Sequence, residues 1–435
     1  MSDTLRKPLR ILLSAYACEP GKGSEPGVGW NWALALARHG HEVWALTRRN
    51  NQKTIEPEYL RLEPEIRDRL HFIYYDLPKW ASWWKKGGRG VHLYYLLWQW
   101  GAYQLARQKH AEHAFDRVHH VTFVSARQPS FMGGLGIPFI FGPVAGGERA
   151  PWRLRAGYGW KGWVLDAVRD AANVLVKFDP MMWRTFAQAE QIYVTSEQTR
   201  NLVPRRYWPK TRIKLAIALD DREVGELREE PAMSAPRIIY VGRLLYWKGM
   251  HLGLASFASF LKRYPGARLT LIGSGPDEAR WRQLAGQLGV ANSIDWTSWI
   301  GQCELADLYR NHDVLLFPSL HDSGGMVVLE AMQHGLPVVC LKLGGPGVLV
   351  NDSCGIALDT SRHGVESLVA VMADGLAQLF ADYSAYADKS AGARKRAQEQ
   401  NWDALVADIY APIERDIAAA IENTPSTDGF VAAVE

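Results

Sequence analysis

The stretch Val314-Leu-Leu-Phe-Pro-Ser-Leu-His-Asp-Ser-Gly-Gly-Met-Val-Val-Leu-Glu-Ala-Met-Gln-His-Gly-Leu-Pro-Val-Val-Cys-Leu-Lys-Leu343 decides the fold. Val314–Phe317 is a short apolar run closed by Pro318, the pattern of a strand buried on both faces of a parallel sheet. Gly324-Gly325 lets the backbone turn tightly, and a helix starting at Met326 leaves its first N–H groups without intrahelical partners. Such a helix end attracts anions. Asp322 stands just before the turn and Glu330 one turn into the helix, so two carboxylates bracket whatever anion binds. Gly335-Leu336-Pro337 ends the helix, and Val338–Leu343 begins the next strand.

The same grammar recurs upstream. Arg237–Val241 reads as a strand, followed by Gly242-Arg243-Leu244-Leu-Tyr-Trp-Lys248-Gly249 and a helix. An always-ionised arginine grips phosphate oxygens in pairs, while lysine brings a point charge on a flexible stem. Two cations beside a helix N-terminus are unfavourable unless an anion joins them, so Arg243 and Lys248 form a candidate anion clamp. Further strands are expected at Arg268–Gly273, Ile294–Ile300 and Gly355–Leu358. Helices are expected at 363–380, 385–400 and 402–421, the last amphipathic and followed by a frayed tail.

The first half carries a second set of strand–loop–helix units. Leu9–Tyr16 is a buried-type strand, and a loop rich in Gly and Pro runs from Ala17 to Trp30 before a helix at Asn31–Arg38. No Gly-x-Gly-x-x-Gly opens that helix, and Arg48-Arg49 stands where a dinucleotide site needs an acid, which disfavours a nicotinamide oxidoreductase. Strands are expected at Glu42–Thr47, His71–Asp76, Asp116–Phe123, Pro138–Val144 and Ile192–Ser196, the last closing the first sheet. His119 and His120 are neighbours on one strand and face opposite sides. A histidine on an apolar strand is commonly structural, and the residues alone leave open which of the two faces a site. A linker is expected near Arg205–Arg212.

At 435 residues the chain is long enough for two domains with full cores. Four cysteines without metal or disulfide spacing suit a reducing cytosol. Neither a signal peptide nor a membrane-spanning apolar run is expected. The net charge of +4 hides an asymmetry: 30 basic against 18 acidic side chains over residues 1–210, and 20 against 28 over 211–435. Aromatic rings beside cations cluster at Trp80, Trp83, Trp84, Lys85, Lys86, Arg89, Tyr94, Tyr95, Trp98 and Trp100, and again at Trp152, Arg153, Arg155, Tyr158, Trp160, Lys161 and Trp163. For each single ring a place in the core is the simpler expectation. Together the clusters also suit an anionic membrane surface or a lipid-linked acceptor.

The stretch Asp322, seven residues, Glu330-Ala331-Met332 and Gly335-Leu336-Pro337-Val338 resembles the donor site of retaining glycosyltransferases of family 4, which have the GT-B fold. Gly242–Gly249 resembles that family's diphosphate clamp. The family's first acid is Glu; here Asp322 is one methylene shorter. The resemblance implies two doubly wound Rossmann-like α/β domains facing across a cleft: 1–208 on the acceptor side, 209–401 binding the nucleotide sugar, and 402–435 crossing back to the first domain before the tail. It implies Glu330 on the ribose and Asp322 on the donor sugar. Arg243, Lys248 and the amides of Gly324, Gly325 and Met326 would then hold the diphosphate. Gly27 and Gly29 would lie against the donor phosphates, and His120 near the reacting sugar. Either Trp299 or the backbone near Ile300 would meet the base, although an ordinary core ring is the simpler expectation for Trp299. The implied function is retaining transfer of a hexose from a UDP- or GDP-sugar to a saccharide or lipid-linked acceptor. No cofactor is expected, no metal, since no carboxylate pair is spaced for Mg²⁺, and no nucleic-acid partner. Localisation would be cytoplasmic, with peripheral contact at the inner membrane face. Two alternatives accompany this reading: a catalytically weak relative acting as a binding or scaffold subunit, and a phosphorylase using orthophosphate.

Overall fold

The computed structural model describes residues 8–85, 90–123, 125–220 and 230–422. Two all-parallel sheets organise it. The first contains β1 (Arg10–Ala15), β2 (Glu42–Arg48), β3 (Leu70–Tyr75), β4 (Arg117–Thr122), β5 (Phe139–Val144), β6 (Gln191–Val194) and β7 (Thr211–Ile213). The second contains β8 (Arg237–Val241), β9 (Arg268–Ile272), β10 (Ile294–Thr297), β11 (Val314–Phe317), β12 (Val338–Leu341) and β13 (Gly355–Leu358). Their orders are β3-β2-β1-β4-β5-β6-β7 and β10-β9-β8-β11-β12-β13. In each sheet the order reverses at one place, between β1 and β4 and between β8 and β11. Crevices open beyond the strand carboxyl ends at such reversals. The central strands are apolar on both faces because helices cover both sides: β11 and β12 are buried at every position.

Three sequence expectations need correction. The helix after β1 begins at Ser24, not Asn31, and runs to Arg38. Gly27 and Gly29 therefore sit inside it, buried. A Cβ on Gly27 would lie 2.0 Å from the Lys22 carbonyl oxygen, and one on Gly29 2.0 Å from that of Ala17. These glycines let the helix close onto its own leading loop; they offer no open phosphate cradle. The second correction concerns the edge of the first sheet. β7 pairs with β6 through Thr211 and Ile213, so the first lobe continues past residue 208 and the expected linker lies within it. The third concerns Trp299, which is 82% exposed and not a core ring.

Passage between the lobes is double. Leu219 N donates to Gln400 O at 2.9 Å and Trp402 N to Leu219 O at 3.3 Å, so the outgoing and returning chains run side by side. The helix Trp402–Glu422 then packs on the first lobe's Ser24–Arg38 helix. Trp402 meets Trp32 edge-on, the Tyr410 hydroxyl lies 2.9 Å from His119 Nδ1, and Glu414 Oε1 lies 3.3 Å from His41 Nε2. Lys214 pairs with Asp408 along the same seam. Residues 423–435 lie outside the described residues.

Candidate functional site

The two basic and acidic motifs, some 70 positions apart in sequence, meet because β8 and β11 are neighbours and both end at the same crevice. Gly249, at φ +71°, lies so close to Pro318 that a Cβ would stand 2.0 Å from the Pro318 carbonyl oxygen. Only glycine suits that backbone and that approach. Leu320 N donates to Trp247 O at 2.9 Å, and Lys248 Nζ to Asp322 Oδ2 at 2.5 Å. Loop to loop, the clamp and the acid turn are laced together. The β9 turn joins them: a Cβ on Gly273 would meet the Gly242 carbonyl oxygen at 2.0 Å.

Asp322 does two things at once. Its Oδ2 holds Lys248, while Oδ1 accepts from Gly324 N at 3.1 Å and Gly325 N at 2.8 Å. The amides of Gly324 and Gly325, expected to hold a diphosphate, are therefore occupied by the chain's own carboxylate. The helix end is bare only one residue further in. Met326, Val327 and Val328 donate to no protein group among the described residues, and the Gly325 cap, at φ +78°, offers no side chain. Arg243 is exposed and makes no ion pair among the described residues. Glu330, one turn along the same helix, lies with its Oε2 3.5 Å from the hydroxyl of Tyr309. Burial, and then Glu330, push the Tyr309 phenol upward, so it stays a hydrogen-bond donor.

The histidine pair is a different matter. His119 lies between the Tyr410 hydroxyl and the Gly142 carbonyl, 2.6 Å from its Nε2. That carbonyl requires a proton on Nε2, leaving Nδ1 to accept from Tyr410: a neutral structural ring, its pKa lowered to about 3 chiefly by burial. His120 is 1% exposed, with the Tyr95 hydroxyl 3.3 Å from Nε2 and Phe141 beside it. Burial lowers its pKa to about 4. The ring is thus enclosed between protein side chains and not open to solvent.

Residues that the motifs did not reveal complete the crevice from the first lobe. Glu148, in the loop after β5, is buried; its carboxylate accepts from Gly146 N at 2.8 Å and from the hydroxyls of Thr195, Ser196 and Thr199 at 3.2, 2.9 and 2.8 Å. Its Cγ lies 3.3 Å from where a Gly344 Cβ would stand, so it reaches the second lobe beside Asp322. His321, held neutral by burial with its pKa lowered to about 4, feels Arg169, Glu148, Asp322 and Lys248. The visible signal for Glu148 was a lone acid after Gly146-Gly147, far in sequence from the Thr195-Ser196 and Thr199 hydroxyls that hold it.

Nearby, the two lobes touch directly. Tyr246 and Trp247 of the clamp loop lie against the first lobe's Trp160–Leu175 helix: the Tyr246 hydroxyl donates to Asp166 Oδ1 at 3.2 Å, and Arg169 stands 5.6 Å over the Trp247 ring. The outer side of that helix is uncovered. Trp160 is 73% and Phe178, just past it, 72% exposed, and Trp152, Val168 and Leu175 are also exposed. Trp80, Trp83 and Trp100 form the other exposed group, whereas Tyr94, Tyr95, Trp98 and Tyr158 are buried. Lys86 and Arg89 lie outside the described residues. Among the described residues no helix is long and apolar enough to cross a membrane, and all four cysteines are free.

Comparison with known proteins places this geometry. A family model described as glycosyl transferases group 1 matches residues 226–396. A D-inositol 3-phosphate glycosyltransferase of Saccharomonospora viridis is 33% identical over 201 residues, 43% of this chain and 44% of that protein. The chain spans under half the length of the curated relatives it matches. Among solved structures, sucrose-phosphate synthase from Thermosynechococcus elongatus superimposes with a TM-score of 0.62 at 19% identity, over 94% of this chain and 99% of that one. Anabaena HepE, solved in complex with UDP, superimposes at 0.54 and 15% identity, over 95% of this chain and 100% of that one. The protein has the two-lobed GT-B fold, and most of its second lobe matches the model of the glycosyl transferases group 1 family.

Proposed function

We propose that the crevice at the β8/β11 reversal binds a UDP- or GDP-sugar and that the protein transfers a hexose from it with retained configuration, as family 4 enzymes do. The observation that carries this is Lys248 bonded to Asp322 at the foot of a helix whose Met326–Val328 amides have no partner among the described residues, with Arg243 exposed on the same clamp loop. The HepE complex, on the same fold, adds support for a uridine nucleotide. In this reading the diphosphate takes Lys248 from Asp322 and lies against those amides. Glu330 receives the ribose hydroxyls, and Asp322, once released, the donor sugar.

Charge builds on the leaving phosphate as the anomeric C–O bond breaks, and two cations with a helix end stabilise it without metal assistance. The acceptor hydroxyl attacks from the same face, and its proton passes to the departing phosphate oxygen, so no dedicated base is needed. The test is thermal shift across a panel of nucleotide sugars, followed by turnover. A ligand at about 100 times its dissociation constant adds about 2.7 kcal/mol. Binding of none of them removes the reading. Binding without transfer or hydrolysis leaves the scaffold alternative, and turnover that requires orthophosphate leaves the phosphorylase.

The uncovered face around Trp160, Leu175 and Phe178 is flanked by Arg153, Lys161 and Lys177. Rings that keep an apolar body and cations that keep to water suit the surface of an anionic bilayer, and hence a lipid-linked acceptor at the inner membrane face. Flotation with vesicles containing anionic lipid at low salt tests this. Protein remaining at the bottom of the gradient rejects it.

A further inference from the structure

On the first lobe, beside Gly146 and within the field of Glu148, the loop after β4 presents Arg127. The residue is partly buried, and its guanidinium makes one side-chain hydrogen bond, from Nη1 to Asn173 Oδ1 at 3.2 Å. Among the described residues no carboxylate pairs with it. The nearest acid that acts on it, Glu148, is already held by an amide and three hydroxyls. The other neighbouring charge is a like one, Arg169, itself paired with Asp166 at 3.1 Å. Gly146, at φ +108°, keeps the space beside the guanidinium small but open: a Cβ there would stand 3.5 Å from Arg127 Nη2 and 3.5 Å from Ser125 Oγ.

A guanidinium withdrawn from water next to another one costs free energy. Four of its five N–H donors have no partner among the described residues. Such an arrangement is repaid when an oxyanion arrives, because the planar fork binds carboxylate or phosphate oxygens in pairs. Its place matters as much as its charge. The donor reading puts the diphosphate on the second lobe, against Lys248; Arg127 belongs to the first lobe, at the carboxyl end of β4, on the acceptor side.

We infer that Arg127, braced by Asn173 and backed by Arg169, is the receptor for an anionic group, phosphate or carboxylate, carried by the acceptor. This deepens the transferase reading and rests on it for the word acceptor; the anion site itself stands on the geometry of Arg127 alone.

Calorimetric titration separates the two. Wild-type protein, Arg127→Gln and Arg127→Lys are titrated with inorganic phosphate and with acetate, once nucleotide-free and once saturated with UDP or GDP, whichever binds. The expected result is anion binding to wild type in both states, at least tenfold weaker for Arg127→Gln and intermediate for Arg127→Lys. The nucleotide constant should stay within twofold. Phosphate alone binding assigns a phosphorylated acceptor, and acetate binding as well assigns a carboxylate-tolerant site. No phosphate binding to wild type up to about 50 mM, or equal binding in all three proteins, overturns the inference. So does a tenfold loss of nucleotide affinity in Arg127→Gln, which would give the arginine to the donor. Failure of both nucleotides to bind sinks the donor reading, yet the nucleotide-free titration still decides on Arg127.

Discussion

Asp322 is both a brace and a competitor, and replacing it by asparagine tests which role dominates donor binding. The carboxylate holds Lys248 Nζ at 2.5 Å and caps two amides through its other oxygen. In Asp322→Asn the side-chain oxygen still caps Gly324 and Gly325, so the turn is kept, but the negative charge is gone. A diphosphate bridged by Lys248 would sit about 5 Å from that charge; at an effective dielectric constant of about 20 the repulsion removed is about 3 kcal/mol. Against it stands the lost anchoring of Lys248, whose pair is about one-sixth exposed on each side (16% and 17%) and whose freed side chain regains about 1–2 kcal/mol of rotamer freedom in the empty protein. The net gain should be about 1–2 kcal/mol, or roughly 5- to 30-fold tighter UDP or GDP. Transfer should fall at the same time, since the sugar loses its carboxylate. Isothermal titration with the nucleotide measures the first effect and product formation the second. Unchanged or weaker nucleotide binding in Asp322→Asn would refute the competition and place the diphosphate elsewhere.

Other expectations follow from single contacts. Arg243→Ala and Lys248→Ala should each raise the barrier to transfer by roughly 2–4 kcal/mol, as loss of an oxyanion donor does; intact kcat/KM in both would show the clamp to be misassigned. Gly29→Ala should cost about 1–3 kcal/mol of stability by forcing the helix off the Ala17 carbonyl, read as a lowered urea midpoint with an unchanged slope. His119 and His120 are buried and His251, on the helix after the clamp, is half-buried; their pKa values are lowered to about 3, 4 and 4, desolvation being the main cause. Their folded values lie below the unfolded value of about 6.5, so the unfolded chain binds the extra protons. Stability is then full above about pH 6.5 and is lost toward about pH 4, by up to about 1.4 kcal/mol per pH unit for each ring. Urea midpoints at pH 7, 6 and 5 measure it, and a flat profile would show that these rings ionise in place.

What was legible in the sequence was whatever has a local cause. Arg237–Val241, Val314–Phe317 and Gly355–Leu358 match the observed strands residue for residue, because an apolar run ended by glycine, proline or charge needs no tertiary information. The Gly-rich run before Asn31 misled for an equally physical reason. Its glycines serve close approach inside a helix, and composition cannot distinguish that from flexibility. β7 was missed because three residues, one of them Arg212, carry no periodicity. At the site, the clamp and the acid turn could be read as motifs, but the capture of the Gly324 and Gly325 amides by Asp322 could not, since it depends on where one carboxylate turns. Arg127 and Glu148 from loops and Arg169 from a helix gather within the first lobe, and the meeting of the two lobes brings His321, nearly 200 positions from Arg127, beside them.

The central claim is that the second lobe holds a nucleotide diphosphate between Arg243, Lys248 and the amides of Met326–Val328. A crystal grown with UDP or GDP tests it most directly. The account predicts the diphosphate at those groups, with Lys248 Nζ moved from Asp322 onto a phosphate oxygen and the ribose on Glu330. A nucleotide seated against the first lobe's sheet, with the Lys248–Asp322 pair still closed, would contradict it.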